Sequence, residues 1–147
     1  MSSRRSSVPC PDPRVVPVPW DAEPFENTVA NAPDSLSPID AVAEALAATA
    51  VFFEGRVEHS RRRQAVLDAN PSLQERELTK LSSLAAAVAG ALRGRGVGDP
   101  AATLTAEAGI AVFKIAFGLW VDEANDREFS DLMKTTLDEF KAVLTGR

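Results

Sequence analysis

The sequence has little of the chemistry that metal centres, disulfide frameworks and most catalytic sites require. Its 147 residues include one cysteine, Cys10, and one histidine, His59. A single cysteine cannot form an internal disulfide, and a lone histidine without a cysteine nearby argues against a zinc site. No glycine-rich loop follows a strand pattern, so a cradle for phosphate groups is not expected. The sequence therefore predicts no enzyme, no cofactor and no metal site.

An excess of positive charge is also lacking, since 21 acidic residues outnumber 16 basic ones and the formal net charge is -5. This balance argues against binding of nucleic acid through bulk charge. Long apolar runs are missing too, because the most apolar stretch, residues 101–121, carries Glu107 and Lys114. Arg4-Arg5 resembles the start of an export signal, but prolines follow it instead of an apolar segment. We expect a cytoplasmic protein without a membrane span.

Proline divides the chain into two parts, because eight of the ten prolines lie before Ile39. Residues 1–19 are rich in Ser, Arg and Pro and show no apolar period, which predicts a disordered arm. Residues 20–147 are rich in alanine and leucine and predict one helical domain that is long enough to bury a core. Over residues 20–31 we expect one or two helical turns, broken by Pro24.

Capping residues and apolar spacing predict five longer helices. Ser37 and Pro38 suit the cap and the first position of one helix, and Asn70-Pro71 separates two others. Asn125, with Glu128 three residues later, is expected to open the last. The predicted helices cover about residues 37–55, 56–69, 71–94, 101–122 and 125–146. With no strand pattern and no internal repeat, the fold class is all-α, a bundle of five to six helices.

Two groups of residues are candidates for a binding site. Arg56, His59 and Arg63 lie about one turn apart on one side of a predicted helix, where a guanidinium would pair with a carboxylate or phosphate of a ligand. The alternative is a solvated helix face bonded to neighbouring acids. Phenylalanines on helices that must face one another would line an apolar cavity, or alternatively form ordinary core. The residues predicted to bind a ligand are Phe53, Arg56, His59, Arg63, Leu84, Val88, Phe113 and Phe117.

The last two predicted helices carry more apolar surface than the other helices can cover. A second copy of the chain, related by two-fold symmetry, would cover the excess in a four-helix interface. Gly109, Ala116 and Gly118 would allow close approach of the helices. The alternative is a monomer that uses the same residues as core. The residues predicted for the homodimer interface are Val112, Ala116, Trp120, Phe129, Leu132, Met133, Thr136, Leu137 and Phe140.

Four segments, taken in order, resemble one known family. Residues 61–73, RRRQAVLDANPSL, look like the R-x-R…P-x-L segment of TetR-type transcriptional regulators. ALRGRGV at 91–97, then DPAA at 99–102, resembles a passage of actinobacterial members, and residues 110–120, ending in FGLW, resemble their helix that ends in tryptophan. The resemblance covers about residues 20–147.

The resemblance implies a ligand-sensing and dimerisation domain of five or six helices. In the family, this domain encloses a small-molecule pocket and dimerises through its last two helices. The phenylalanines and Arg63 fall on helices that line that pocket, but no specific ligand contact carries over. The family reads DNA with an N-terminal helix-turn-helix head, and residues 1–19 show no such pattern.

The sequence therefore predicts a sensor domain that binds a small, largely apolar effector, with DNA reading only through a head absent from this sequence. The alternative is a helical adaptor or dimerisation protein that binds no ligand.

Overall fold

The chain folds into six α-helices in a computed structural model that describes residues 22–146. The helices are α1 Ala22–Asn31, α2 Pro38–Phe52, α3 Val57–Asp68, α4 Pro71–Gly94, α5 Ala101–Val121 and α6 Phe129–Leu144. Within the described residues there is no strand, which confirms the predicted all-α bundle. The predicted arm of residues 1–19 lies outside the described residues.

Local sequence signals set most of the helix ends. The Ser37 Oγ accepts a hydrogen bond from the Asp40 backbone N–H at 3.3 Å, and Pro38 occupies the first position of α2, as predicted. Gly55 and Gly96 have φ values of 75° and 94°, the left-handed conformation that glycine adopts readily where a helix ends. At the start of α5, the Asp99 carboxylate accepts hydrogen bonds from the Thr103 N–H and hydroxyl, which hold the pKa of Asp99 below its usual value.

Two local predictions are wrong. Pro24 does not break the first helix, because it lies in the first turn of α1, where the missing N–H has no partner within the helix to lose. Asn125 does not open α6, which begins four residues later at Phe129. The Asn125 amide instead donates to the carbonyls of Trp120 and Arg127, both at 3.0 Å, and so holds the turn between α5 and α6.

Helix α5 is the central element, since it packs against α2, α3, α4 and α6. The contact with α2 is close at Gly109, where an added Cβ would lie 2.5 Å from Cγ1 of Val42. By length and composition, α5 is also the one helix in the described part of the chain that could cross a membrane. Nine of its residues, however, are buried in the core of the bundle, which is the ordinary place for such a helix in a globular domain.

Two arginines fasten helix ends that are distant in sequence. The Arg95 guanidinium donates to the carbonyls of Ala32 at 2.6 Å and Pro33 at 2.9 Å, beyond the end of α1. The Arg61 guanidinium on α3 donates to the carbonyls of Val121 and Asp122, both at 3.0 Å, at the end of α5. Each guanidinium places positive charge at the C-terminal end of a helix, where backbone carbonyls lack partners within the helix. The bonds of Arg61 also hold α3 against α5.

Candidate ligand-binding site

A cavity of about 550 Å³ lies between α3, α4 and α5. Its volume falls within the range of about 300–1,000 Å³ that is usual for small-molecule sites. Helix α3 covers it, although that helix buries only Ser60 and Leu67. The lining residues are Arg63, Gln64, Leu67, Asp68, Gln74, Glu77, Leu78, Leu81, Phe113, Lys114, Phe117, Gly118 and Val121.

The cavity walls are largely apolar. Leu67 and Leu81 are buried, whereas Leu78 lines the cavity while more than half exposed to solvent. Phe113 and Phe117 of α5 supply aromatic surface on the opposite side. A ligand seated here would therefore exchange water for leucine and phenylalanine side chains, which favours binding of an apolar body.

An ion pair between α3 and α4 lies among the polar residues of the cavity lining. Nη2 of Arg63 on α3 donates to Oε1 of Glu77 on α4 at 3.0 Å, and the two side chains are only 12% and 21% exposed. Formal charges along the lining balance, because Lys114 and Asp68 add one of each sign. Within residues 22–146, no three His, Cys, Asp or Glu side chains come together as a metal site. The cavity thus offers a partly buried charge-assisted hydrogen bond to an apolar ligand with one polar group.

Three of the eight predicted ligand-binding residues line this cavity: Arg63, Phe113 and Phe117. Arg56 and His59 are exposed elsewhere on the surface, and the Arg56 guanidinium lies over the ring of Phe52 at 4.5 Å from its centroid. Leu84, Val88 and Phe53 are buried in the bundle core. The arginines of α3 and its N-cap therefore have different roles, since the Arg56 guanidinium packs on the Phe52 ring, Arg61 binds the carbonyls at the end of α5, and Arg63 reaches the cavity.

The aromatic residues form a core cluster around Phe53. Its ring centroid lies 5.4 Å from Phe129, 5.6 Å from Phe117 and 6.5 Å from Phe113. Trp120 stacks on Phe129 at 4.8 Å with an interplanar angle of 15°. Both interpretations of the phenylalanines thus apply in part, because Phe113 and Phe117 belong to this core and also form a cavity wall.

Sequence reasoning missed Glu77, although a signal for it exists. Arg63 and Glu77 each lie seven residues from Asn70, the residue at the turn between α3 and α4. Residues equidistant from a short turn meet across an antiparallel helix pair, so this spacing points to the contact. Gln74 is another missed residue, and its amide donates to the carbonyl of Leu67 at 2.9 Å, at the end of α3. No comparable signal marks Gly118 or Lys114. The orientation of α5 about its own axis, which the sequence does not reveal, decides that these two residues face the cavity.

Most residues of the predicted dimer interface face the chain's own core in this structure. The buried members are Val112, Ala116, Trp120, Phe129, Leu132, Met133 and Leu137, while Thr136 and Phe140 are half-buried. Packing of α5 and α6 against α2 uses this surface within one chain. The large apolar side chains that α5 leaves exposed are different ones, namely Leu104, Ile115 and Leu119.

Comparisons with known proteins identify the family to which this helical domain belongs. A search of the curated proteins found no match for the chain. A family model does match: residues 36–145 fit the MftR C-terminal domain, a TetR-type C-terminal domain. The matched range contains α2 to α6 and with them every residue of the cavity lining. The chain therefore belongs to the MftR C-terminal domain family of TetR-type regulators.

Proposed function

We propose that this chain is a cytoplasmic sensor domain that binds a small, largely apolar effector in the cavity between α3, α4 and α5 and forms a homodimer. The cavity itself carries the proposal, since its apolar walls enclose one partly buried ion pair. Membership of a regulator family favours a binding domain over an enzyme. DNA reading would require a helix-turn-helix unit in addition to the six helices described here.

The lining suggests how an effector would sit. Its apolar body would contact Leu67, Leu81 and Phe117, and a polar acceptor would approach the Arg63 guanidinium. A guanidinium has five N–H donors, so Arg63 can serve an effector while it keeps Glu77 or in exchange for it. Because α3 buries few side chains of its own, an effector beneath it would add contacts that this helix otherwise lacks.

Exposed apolar surface on α5 supports the homodimer. Leu104, Ile115 and Leu119 are 65%, 57% and 50% exposed, on a helix whose opposite face is core. A contiguous apolar surface of this kind is typical of an interface between proteins. The proposed interface keeps the predicted helix α5 but uses these residues instead of the buried ones.

A thermal-shift screen of apolar acids, acyl thioesters and aromatic drugs tests the proposed effector site. A compound at 100 times its dissociation constant adds about 2.7 kcal/mol to native stability. For a chain of this size, we expect that gain to raise the melting temperature by about 5–10 °C. Light scattering at micromolar concentration should give close to twice the chain mass of 15.7 kDa. A broad screen without any shift would favour the ligand-free adaptor.

A further inference from the structure

Helix α5 presents two neighbouring faces outside the core. One face lines the cavity and includes Lys114 and Gly118, both exposed. The second face is an apolar stripe about 100° further round the helix, where Ile115 and Leu119 follow the cavity residues Lys114 and Gly118. The members of this α5 stripe are Leu104, Ala108, Ala111, Ile115 and Leu119, four, three, four and four residues apart. That spacing keeps them on one side of an α-helix.

The first four residues of the α5 stripe have a self-complementary order. Leu104 and Ile115 are large and stand at the ends, and Ala108 and Ala111 are small and stand between them. The spacing of four, three and four residues reads the same in both directions. A two-fold axis between the two alanines would therefore place Leu104 against the partner's Ile115 and let the backbones approach closely at the centre.

Charge on the adjoining flank fits the same axis. Glu107 and Lys114 are both exposed, are seven residues apart and lie within about 20° of each other around the helix. A two-fold axis perpendicular to the helices keeps equivalent flanks on the same side of the pair. It would bring the partner's Glu107 within about 3 Å of Lys114 along the helix axis. Neither residue forms a salt bridge in residues 22–146, so both charges remain available to a partner.

We propose that α5 pairs in antiparallel fashion with α5 of a second copy, and that this pairing completes the ligand cavity. Lys114 is the link, because it lines the cavity and meets the partner's Glu107 at its edge. The second copy thus closes the side of the cavity next to Gly118, and the dimer binds effector more tightly than the monomer does. This inference rests on the homodimer of the proposed function.

Charge exchange tests the pairing in the full chain. Each single variant, Glu107→Lys and Lys114→Glu, replaces attraction by repulsion at two symmetric contacts. We expect each to raise the dissociation constant of the dimer by about 10- to 30-fold at low salt, a difference that shrinks as salt is added. The double variant should return it to within about threefold of wild type. Sedimentation equilibrium measures all four proteins, and circular dichroism verifies that each keeps its helices.

Binding of the fluorescent probe anilinonaphthalene sulfonate tests the completion of the cavity. Loss of the probe in Gly118→Leu identifies the cavity as its site. We expect the affinity for the probe to fall at least about tenfold in the monomeric variant Ile115→Glu, which changes a residue outside the lining. The same fall is expected in wild type diluted below its dimer dissociation constant.

The possible outcomes separate the proposals. Equal affinity for the probe in monomer and dimer, or a Glu107→Lys dimer as stable as wild type, would overturn this inference but would not contradict the proposed effector site. A strictly monomeric wild type would refute the homodimer and this inference together, and binding of neither the probe nor any screened compound would refute the effector site.

Discussion

Arg63 on α3 and Glu77 on α4 form a hydrogen-bonded ion pair of 3.0 Å at the polar edge of the cavity. The two residues belong to successive helices that are joined by the turn at Asn70-Pro71. Their pairing makes one contact both structural and accessible to an effector, because the guanidinium lies at the boundary between α3 and the cavity. The consequences of the fold can be tested at this pair and at three other positions, Gly118, Gly109 and Asp40.

Replacement of Arg63 by alanine should abolish the thermal shift that an effector produces while leaving the dimer intact. The variant removes the partly buried donor of the cavity, and we expect it to cost about 1–3 kcal/mol of stability because Glu77 loses its partner. Arg62→Ala is the matched control, since Arg62 directly precedes Arg63 on α3 and is exposed. An unchanged effector shift in Arg63→Ala would remove Arg63 from the binding site.

Gly118 should determine how much of the cavity is open. A Cβ added at Gly118 would meet nothing within 4 Å, so Gly118→Ala is expected to raise stability by about 0.5–1 kcal/mol through helix propensity. The larger Gly118→Leu should fold but block the effector shift. Gly90→Ala, on α4 away from the cavity, should give a similar gain in stability and full binding. Full effector binding by Gly118→Leu would contradict a site beside α5.

Gly109→Ala should behave in the opposite way to Gly118→Ala. Its methyl group would lie 2.5 Å from Cγ1 of Val42, so α2 and α5 must separate or Val42 must change rotamer. We expect a loss of about 1–3 kcal/mol in the free energy of unfolding, measured in urea. Unchanged stability would show that α2 does not approach α5 this closely.

The hydrogen bond between Lys141 of α6 and Asp40 of α2 predicts a dependence of stability on pH. The Lys141 ammonium donates to the Asp40 carboxylate at 2.7 Å and, together with the bond to Ser37, lowers the pKa of Asp40 from its ordinary value of 3.8. Because the pKa of Asp40 is lower in the folded state than in the unfolded state, the ionised carboxylate stabilises the fold fully above the unfolded-state pKa. This stabilisation is lost as the pH falls from the unfolded-state pKa through the folded-state pKa. Because both side chains are about two-fifths exposed, we expect a contribution of less than about 1 kcal/mol at neutral pH.

Thermal melts of Asp40→Asn between pH 2 and 7 (about the acid range in which carboxyl groups titrate) measure this contribution. The variant should lose stability near neutrality and should fall less steeply than wild type below pH of about 4. Asp34→Asn, at an exposed position before α2, serves as the control. Parallel curves for wild type and Asp40→Asn would show that the Lys141 contact adds no stability.

The helices were predictable because their signals are local. Ser37-Pro38, Asn70-Pro71 and the glycines after α2 and α4 act within a few residues of the helix ends that they define. The role of Arg61 was not predictable, since its acceptors on α5 are about sixty residues away. Nothing in the sequence Arg61-Arg62-Arg63 distinguishes Arg61, which binds carbonyls at the end of α5, from Arg63, which faces the cavity.

Apolar spacing also could not separate core from interface on α5. That helix is apolar on nearly every side, so Trp120 and Leu119 look equivalent in the sequence. Only the positions of α2 and α6 decide that Trp120 is buried while Leu119 remains half exposed. The predicted ligand residues Leu84 and Val88 lie outside the cavity for a similar reason, because the side of α4 that they share faces the core.

The most direct test of the proposed sensor is methyl NMR of the full chain during titration with the strongest compound from the thermal-shift screen. If the cavity is the effector site, saturable shifts should concentrate at Leu67, Leu78, Leu81 and Val121, while Val29 and Leu46 stay in place. Saturable shifts that avoid these four lining residues and cluster elsewhere would contradict the account.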